Sequence, residues 1–343
     1  MSEVADTPSR KSDHIRVNLE RDVRGGLPTG LERLHLTHRA LPDLNLEDVH
    51  TDCAFMGKPL AAPLLISSMT GGTEEATRIN LALAEAAQSA RIALGLGSQR
   101  VALEHPEWEA SFRVRRIAPD VLLFANLGAI QLNYGYGLAE CQRAVDMAAA
   151  DALILHLNSL QEAVVADGNT RFAGLLPRIE AVCRALPVPV IVKEVGWGIS
   201  PMDARRLAGA GVAAIDVAGA GGTSWTQVEM YRAQSTEQAD LAAAFVDWGI
   251  PTARALRQVH QALPDLPLIA SGGLRNGVDL AKCIALGARL GGVAGPFLRS
   301  AAESLQAIQD RIRAIVAQLR VAMFAAGCST LDDLRQVDLW ADG

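Results

Sequence analysis

The segment HLNSLQE, residues 156–162, places an imidazole, two carboxamides and a carboxylate within a few residues of one another. Such groups can transfer protons, hold an anionic substrate by hydrogen bonds, or bind a hard cation such as Mg2+ through oxygen. The segment directly follows an apolar run, ALIL, at residues 152–155. A solvated surface loop could have this composition by chance, whereas the rim of a catalytic site would require it.

Polar or glycine-rich residues also follow the other apolar runs of the chain. They are Ser67–Gly72, Gly97–Arg100, Asn126, Lys193–Glu194, Gly219–Trp225, Ser271–Gly273 and Ala294–Pro296. Enzymes built on a parallel barrel carry their chemistry at the carboxyl ends of the strands, often with a phosphate site after the last two. Glycine there allows backbone N–H groups to approach a phosphate, although glycines after strands can also be simple turns.

Lys193 stands in the middle of the apolar run IVKEV. A buried lysine without a partner is costly, so this one needs an anionic partner or a chemical role. Three interpretations are open: an ion pair with a carboxylate on a neighbouring strand, a Schiff-base lysine, or a cation that faces an electron-rich cofactor ring.

Eight short apolar runs provide the elements that must position these residues. They are 63–68, 92–97, 121–128, 152–158, 189–195, 213–219, 267–273 and 290–295. Continuous apolar character is typical of parallel strands buried on both faces. Segments with helical spacing, such as 80–90 and 201–211, lie between them. The series predicts an α/β fold, a parallel (β/α)8 TIM barrel.

One domain of 343 residues is predicted: an N-terminal extension at 1–60, the barrel at 61–300, and a C-terminal helix and cap at 301–343. A long insert, roughly 224–262, separates the sixth and seventh strands. The alternative fold is an open doubly wound sheet, which usually carries GxGxxG, and no such motif is present. GLGSQR, residues 95–100, begins like one and lacks the last glycine.

Composition limits the classes of function. The formal net charge is −6, which argues against general nucleic-acid binding. None of the five cysteines lies in a CxxC pair, so neither a zinc site nor a disulfide framework is indicated. The N-terminus lacks the apolar core of a signal peptide, and no apolar run approaches the ~20 residues of a membrane span. We expect a cytoplasmic protein that does not associate with membranes.

Seven motifs in this order resemble the flavin-dependent, type 2 isopentenyl diphosphate isomerase family along nearly the whole chain. They are RKSDH, SSMTGG, GLGSQR, HLNSLQE, IVKEVGWGIS, GAGGTSW and SGGLRNG, the last followed by VAGPFL. The resemblance implies FMN across the barrel mouth. It assigns the cofactor contacts to Met69, Thr70, Gly71, Ser98, Asn126, Lys193, Thr223, Gly272, Gly273, Leu274, Ala294 and Gly295. In this family the lysine is not a Schiff-base residue.

The same resemblance implies interconversion of isopentenyl and dimethylallyl diphosphate. The residues expected to bind or orient the substrate are Arg10, Lys11, Ser98, Gln99, Arg100, His156, Asn158 and Gln161. Glu162 is expected to bind Mg2+ together with diphosphate oxygens. The reduced flavin, at N5, is the expected acid and base, with Gln161 assisting. NADPH would reduce the flavin, and the family forms homo-oligomers, tetramers or octamers.

Two alternatives remain. An FMN-dependent α-hydroxy-acid oxidoreductase has the same barrel, but its HGGR-like loop is replaced here by AGAGGTSW. A prenyl-diphosphate-binding relative with an altered reaction is suggested by three departures from the family pattern. These are Ser159 in place of a common proline, Val165–Gly168 in place of a QPEG-like stretch, and Gly295 in place of an arginine.

Overall fold

The computed structural model describes residues 7–342, with side chains from residue 11 onward. The strands are β1 Leu34–Leu36, β2 Cys53–Phe55, β3 Lys58–Leu60, β4 Leu64–Ile66, β5 Ala93–Gly95, β6 Leu123–Gly128, β7 Ala152–Leu157, β8 Val190–Glu194, β9 Ala214–Asp216, β10 Leu268–Ala270, β11 Leu290–Val293 and β12 Leu339–Ala341. The first seven helices are α1 Thr7–Glu20, α2 Glu74–Ala90, α3 Arg100–Glu104, α4 Leu138–Ala148, α5 Ser159–Val164, α6 Leu175–Ala185 and α7 Pro201–Gly209. The other seven are α8 Trp225–Arg232, α9 Thr236–Ala243, α10 Thr252–Ala262, α11 Gly277–Ala285, α12 Gly295–Glu303, α13 Leu305–Ala325 and α14 Leu331–Arg335.

Strands β4 to β11 form a closed barrel in chain order, and every neighbouring pair within it is parallel. Each of the eight predicted apolar runs contains one barrel strand, so the predicted (β/α)8 fold is confirmed. Closure pairs β11 with β4, which leaves no open sheet edge in the barrel.

The barrel interior explains why every strand is apolar on both faces. The outward-facing residues join the helices in a large core. The inward-facing residues form a separate apolar cluster, which includes Leu65, Ala93, Phe124, Ile154, Ile191, Ala214, Ile269 and Leu290. Successive side chains of a strand point to opposite faces, so the residue two positions further along also points inward. Each strand therefore offers a second inward position nearer its carboxyl end.

The amino-terminal end of the barrel is plugged by an antiparallel hairpin, β2–β3. Phe55 and Leu60 of this hairpin belong to the inner apolar cluster, and the Phe55 ring packs edge-on against Phe124 with ring centroids 6.4 Å apart. The plug closes this end with apolar contacts to the barrel interior.

Helix boundaries follow local sequence signals. The Ser200 hydroxyl accepts the N–H of Asp203 and Pro201 opens α7, which is a serine cap followed by proline in the first turn. Helix α13 lies in the predicted C-terminal helical segment and buries Ile308, Ile312, Ile315 and Leu319, which recur at helical spacing. In the described part of the chain no helix is both long enough and apolar enough to span a bilayer.

The N-terminal extension crosses the carboxyl-terminal end of the barrel. Helix α1 packs against α8 and α12, both of which follow barrel strands. The predicted insert contains α8, α9 and α10. The extension also supplies β1, which pairs antiparallel with β12 near the C-terminus. The carboxyl-terminal end of the barrel is consequently covered by the chain's own N-terminal helix.

Candidate active site

The second inward position of the barrel strands is polar or glycine at the carboxyl-terminal end. We call this region the barrel mouth and define it by Ser67, Asn126, His156, Lys193, Asp216 and Ser271. Strand register aligns three of these residues, because His156 is the Cα partner of Lys193 and Lys193 is the Cα partner of Asp216. The structure therefore brings side chains from six strands into one polar layer above the apolar interior.

Lys193 is held by two neighbours across the barrel mouth. Its ammonium lies 3.1 Å from Oδ2 of Asp216 and donates to the Ser271 hydroxyl at 3.0 Å. The Ser271 hydroxyl in turn donates to Oδ1 of Asp216 at 2.7 Å. The ion pair with a carboxylate on a neighbouring strand, one of three interpretations of Lys193, is thus present. It does not exclude a cofactor role, since an ammonium has three N–H groups.

Asn126 joins the predicted cofactor and substrate residues. Its amide donates to the Ser68 hydroxyl at 3.0 Å, and its Oδ1 lies 2.8 Å from Nδ1 of His156. Gln99 is fully buried; it accepts the backbone N–H of Asn126 and donates to the carbonyl of Ala144. With both ends of its carboxamide engaged inside the barrel wall, Gln99 holds Asn126 and does not face the barrel mouth.

His156 is neutral at physiological pH. Burial, followed by the charges of Lys193 and Lys11, lowers the pKa of its imidazole to about 4. Because Asn126 offers its Oδ1, the proton belongs on Nδ1, and Nε2 keeps a lone pair.

A dependence of stability on pH follows from the lowered pKa of this half-buried imidazole. An unfolded histidine takes up a proton near pH 6.5, whereas His156 in the folded apoprotein resists it to about pH 4. The stability contribution is therefore present above pH 6.5 and is lost as the pH falls through this window. From pH 7 to pH 5 we expect the apoprotein to lose about 2 kcal/mol more than a His156→Gln variant, measured by urea unfolding. Parallel losses in the two proteins would contradict the assignment.

The HLNSLQE segment is a connected polar cluster and not a solvated loop. Asn158 donates to Glu162 at 2.9 Å and weakly to Gln161 at 3.4 Å. The other Glu162 oxygen accepts the backbone N–H of Asn169 at 2.6 Å. All three side chains are more than nine-tenths buried, and Oδ1 of Asn158 has no hydrogen-bond partner among the described residues. An acceptor left free beside a buried carboxylate is suited to a cation or to a donor on a ligand.

The departure at Val165–Gly168 supports this cluster. The chain turns back so closely that a Cβ on Gly168 would lie 1.9 Å from the carbonyl oxygen of Glu162. This approach brings the N–H of Asn169 onto the Glu162 carboxylate. Ser159, another departure, is the exposed first residue of α5 and touches none of these groups in the described hydrogen bonds.

Glu229, in the insert, was not identified from the sequence. It is buried, accepts Nε2 of Gln161 at 2.9 Å, pairs with His14 at 3.1 Å and binds Arg232 at 2.5 Å. Its contact with Gln161 joins α8 to the HLNSLQE segment, and its contact with His14 joins α8 to α1. A glutamate in the amphipathic helix 225–232 has no sequence signal that separates it from a surface residue.

Lys11 of helix α1 lies beside the loop that follows β5. Its ammonium donates to the carbonyl of Ser98 at 2.9 Å and lies 5.7 Å from the Phe112 ring centre. Burial, and next the nearby charge of Arg100, lower the pKa of Lys11 to about 7. Arg100 pairs with Glu104 at the rim. Arg10 lies in the same helix, and its side chain falls outside the described residues.

Glu194 faces away from the barrel mouth although it follows Lys193. One of its oxygens accepts the backbone N–H groups of Val195, Gly196 and Trp197 at 2.5–2.7 Å. Burial raises the pKa of Glu194 to about 7 against the lowering effect of these three donors. Glu194 therefore fixes the conformation of the loop at residues 195–197.

Two glycine loops pack face to face after β9 and β10. Gly272 and Gly273 have φ of 101° and 80°, and a Cβ on Gly272 would lie 2.0 Å from the carbonyl oxygen of Gly219. Only glycine fits this left-handed, crowded backbone. A cleft of about 460 Å3, lined in part by Gly221, Gly273 and Arg275, opens beside the loops. A Cβ on Gly295, at the start of α12, would meet open space.

The remaining predicted cofactor residues lie around the same end of the barrel. Met69 is half-buried, Thr70 and Leu274 are buried, and Ala294 is half-buried at the start of α12. Gly71 is packed so tightly that a Cβ would lie 2.2 Å from the Phe112 ring. The Thr223 hydroxyl donates to Asn18 of α1 at 3.3 Å.

Groups of three or more possible metal-ligating side chains are not found among residues 11–342. Any metal at Glu162 would have to take most of its ligands from a bound molecule. Mg2+ is commonly held in this manner, by one or two carboxylates together with substrate phosphates.

The chain is similar in sequence to several known proteins. A family model described as FMN-dependent dehydrogenase matches residues 140–341. The chain is 54% identical over 335 residues to a Nostoc sp. protein named isopentenyl-diphosphate delta-isomerase, covering 97% of this chain and 96% of the relative. A Rickettsia africae protein of the same name is 50% identical over 330 residues, covering 96% of each chain.

Solved structures show the same fold at low sequence identity. A Pediococcus acidilactici lactate oxidase has a TM-score of 0.68 at 18% identity and covers 98% of this chain and 93% of its own. A mandelate oxidase has a TM-score of 0.67 at 20% identity, covering 98% of this chain and 99% of its own. At this level of identity the likeness concerns the barrel alone.

Proposed function

The chain belongs to the FMN-dependent, type 2 isopentenyl-diphosphate delta-isomerase family, and on that premise we propose how its residues interconvert isopentenyl and dimethylallyl diphosphate. One observation carries the proposal. Two ammonium groups, that of half-buried Lys11 and that of buried Lys193, lie at the same end of the barrel as a buried amide–carboxylate cluster in HLNSLQE. The substrate is an alkene attached to a diphosphate. The diphosphate needs cationic side chains to bind it, and the alkene needs an apolar site from which water is excluded.

The residues present fit a flavin. Lys193 donates one N–H to Ser271 and forms an ion pair with Asp216, which leaves N–H groups for a ring oxygen or nitrogen. Buried Ser67 has a hydroxyl with no partner in the described residues. The glycines at 272 and 273 and the start of α12 offer backbone N–H groups to a phosphate. Bound and reduced, FMN supplies the acid–base chemistry that the side chains here lack.

The diphosphate is proposed to lie between α1 and β7. Lys11 reaches the site from α1, and we assign Arg10 of the same helix to the same role. Ser98, Arg100, His156 and Asn158 complete the proposed set. A polyanion beside Lys11 would raise the pKa of its ammonium above the present value of about 7 and so keep it charged. Gln99 acts through Asn126 in this proposal, because its carboxamide is engaged inside the wall.

Glu162 is proposed to hold Mg2+ with the diphosphate. It is a single carboxylate, and the unpartnered Oδ1 of Asn158 is the neighbouring oxygen. Both are oxygen ligands of the type that Mg2+ prefers. Neutralising the diphosphate in this way would reduce its repulsion from Glu162 and Glu229.

Gln161 is proposed to orient the substrate and to assist proton movement. Its Nε2 is fixed by Glu229 and its Oε1 by Asn158, so the carboxamide cannot rotate freely. A carboxamide is a poor acid, so Gln161 positions the reacting carbons and does not itself protonate the alkene. Helix α1 above it would limit the access of water to a cationic transition state.

A flavin spectrum and an anaerobic assay test this function. We expect purified protein to be yellow and to convert isopentenyl diphosphate to dimethylallyl diphosphate only after the flavin is reduced. Product formed at the full rate by the oxidised enzyme in air would contradict the proposal. Colourless protein that binds no added FMN would also contradict it.

The two alternatives have distinct outcomes in the same experiments. An α-hydroxy-acid oxidoreductase would consume O2 with lactate or a similar acid. His156 pairs with a carboxamide and its pKa is low, which disfavours it as the base of that reaction. A prenyl-diphosphate binder with an altered reaction would bind the substrate with reduced FMN present and yield neither C5 diphosphate from the other.

We propose NADPH as the reductant of the flavin, cytoplasmic localisation, and a tetramer or octamer. NADPH is proposed because the reaction requires a reduced flavin and has no net redox change. Light scattering together with gel filtration would measure the oligomer, and anaerobic bleaching of the flavin by NADPH against NADH would measure the reductant preference.

A further inference from the structure

Asp216 is a fully buried carboxylate that lies directly beside Lys193 in the barrel mouth. Its side chain has 0% exposure, and the Lys193 side chain has 10%. A buried charge of this kind is retained only with strong compensation. The compensation here comes from Lys193, from the Ser271 hydroxyl and from the backbone N–H of Ala218 at 3.2 Å.

The groups around Asp216 are two hydrogen-bond donors at Oδ1 and an ammonium at Oδ2. Oδ1 accepts hydrogen bonds from Ser271 and from Ala218, and Oδ2 faces the Lys193 ammonium. A carboxamide at this position would direct its NH2 group either at the ammonium or at the Ala218 N–H. A carboxylate has acceptors on both oxygens.

The arrangement constrains the ammonium of Lys193. One N–H donates to Ser271 within the barrel wall, and the ion pair with Asp216 holds the ammonium on the same side. The remaining N–H groups are available to the barrel mouth. The charge of the ammonium is also largely balanced, so a bound ring meets a directed donor in place of a full positive charge.

We infer that Asp216 is a positioning residue that, with Ser271, orients the Lys193 ammonium and attenuates its charge, and thereby sets the reduction potential of the bound flavin. The inference rests on the proposed function, because it assumes FMN in the barrel mouth. It concerns electrostatics: a positive charge near the ring favours the electron-rich reduced form, and a neighbouring negative charge opposes it.

The test is the midpoint potential of the bound flavin, measured against reference dyes. We expect Asp216→Asn to shift the potential to more positive values and Lys193→Met to shift it to more negative values. We also expect the reduced flavin in Asp216→Asn to lose its N1 proton at lower pH. Asp265→Asn, an exposed change of the same charge at the opposite end of the barrel, serves as the control and should leave both quantities unchanged.

A neutral double variant keeps the test decisive if Asp216→Asn fails to fold. Lys193→Met combined with Asp216→Asn leaves no unpaired buried charge, and such replacements are often tolerated. Its flavin should have a more positive potential than that of Lys193→Met alone. Equal potentials in these two proteins, or an unchanged potential in Asp216→Asn, would overturn the inference while wild-type isomerase activity still stands. Wild-type protein without FMN or without activity would instead defeat the proposed function.

Discussion

Replacing Glu162 with glutamine is expected to lower kcat/KM by about 100- to 1000-fold while FMN stays bound. The change removes the charge proposed to hold Mg2+, and the loss of such a contact, about 3–4 kcal/mol, corresponds to two to three orders of magnitude. The fold should persist, because a glutamine can accept the Asn169 N–H and Asn158 has a free Oδ1 to receive its amide after a flip. Steady-state kinetics across a Mg2+ titration measures the effect.

Glu180→Gln provides the matched control for this prediction. Glu180 lies on α6 in an ion pair with Arg184, and the side chains of Glu180 and Arg184 are 36% and 77% exposed. Removing one partner of an exposed pair changes stability by about 0–1 kcal/mol and should leave the kinetics unaltered. Loss of flavin from Glu162→Gln, or wild-type dependence on Mg2+, would show that the metal assignment is wrong.

Replacing Gly272 with alanine is expected to abolish FMN binding at micromolar concentration and to destabilise the apoprotein by about 3 kcal/mol or more. Two costs combine at this position. The φ of 101° is unfavourable for a residue with a Cβ, and that atom would overlap the Gly219 carbonyl. The loops at 219–222 and 271–273 would then separate, and their N–H groups would no longer converge. Flavin fluorescence titration and urea unfolding measure the two effects.

Gly57→Ala separates the two costs. Gly57 also has a positive φ, 79°, but a Cβ there would meet nothing within 4 Å, and it lies in the β2–β3 hairpin at the other end of the barrel. We expect a loss of about 1–2 kcal/mol from the left-handed backbone and normal FMN affinity. If both variants bound FMN equally well, the packed glycine loops would have no part in holding the cofactor.

The strands and their order could be predicted because burial leaves a direct record in the sequence. A parallel strand covered by helices on one face and by the barrel interior on the other must be apolar throughout, and all eight runs were recognisable on that basis. The carboxyl-end position of HLNSLQE followed from the fold. The helix start at Ser200–Pro201 was equally local, since a cap depends on a few adjacent residues.

The same pattern could have identified Asp216 and could have paired it and Ser271 with Lys193. Each lies two positions after a residue of the inner apolar cluster, Ala214 and Ile269 respectively, as Lys193 does after Ile191. The period of two places all of them in the next inward layer. The polar residues after the strands include Ser271, whereas only this second inward position singles out Asp216 as a partner of Lys193.

The sequence by itself determined the closed parallel barrel, the end at which its polar residues meet, and the residue types available there. The tertiary structure alone decided which of those residues touch. In the folded chain Gln99 lies inside the barrel wall and accepts the N–H of Asn126. Gln161 donates to Glu229, and Lys11 of α1 donates to the carbonyl of Ser98. Periodicity records the burial of each residue within its own element. Contacts between residues such as Lys11 and Ser98 depend instead on strand register, loop conformation and the packing of α1 and α8, which no local pattern encodes.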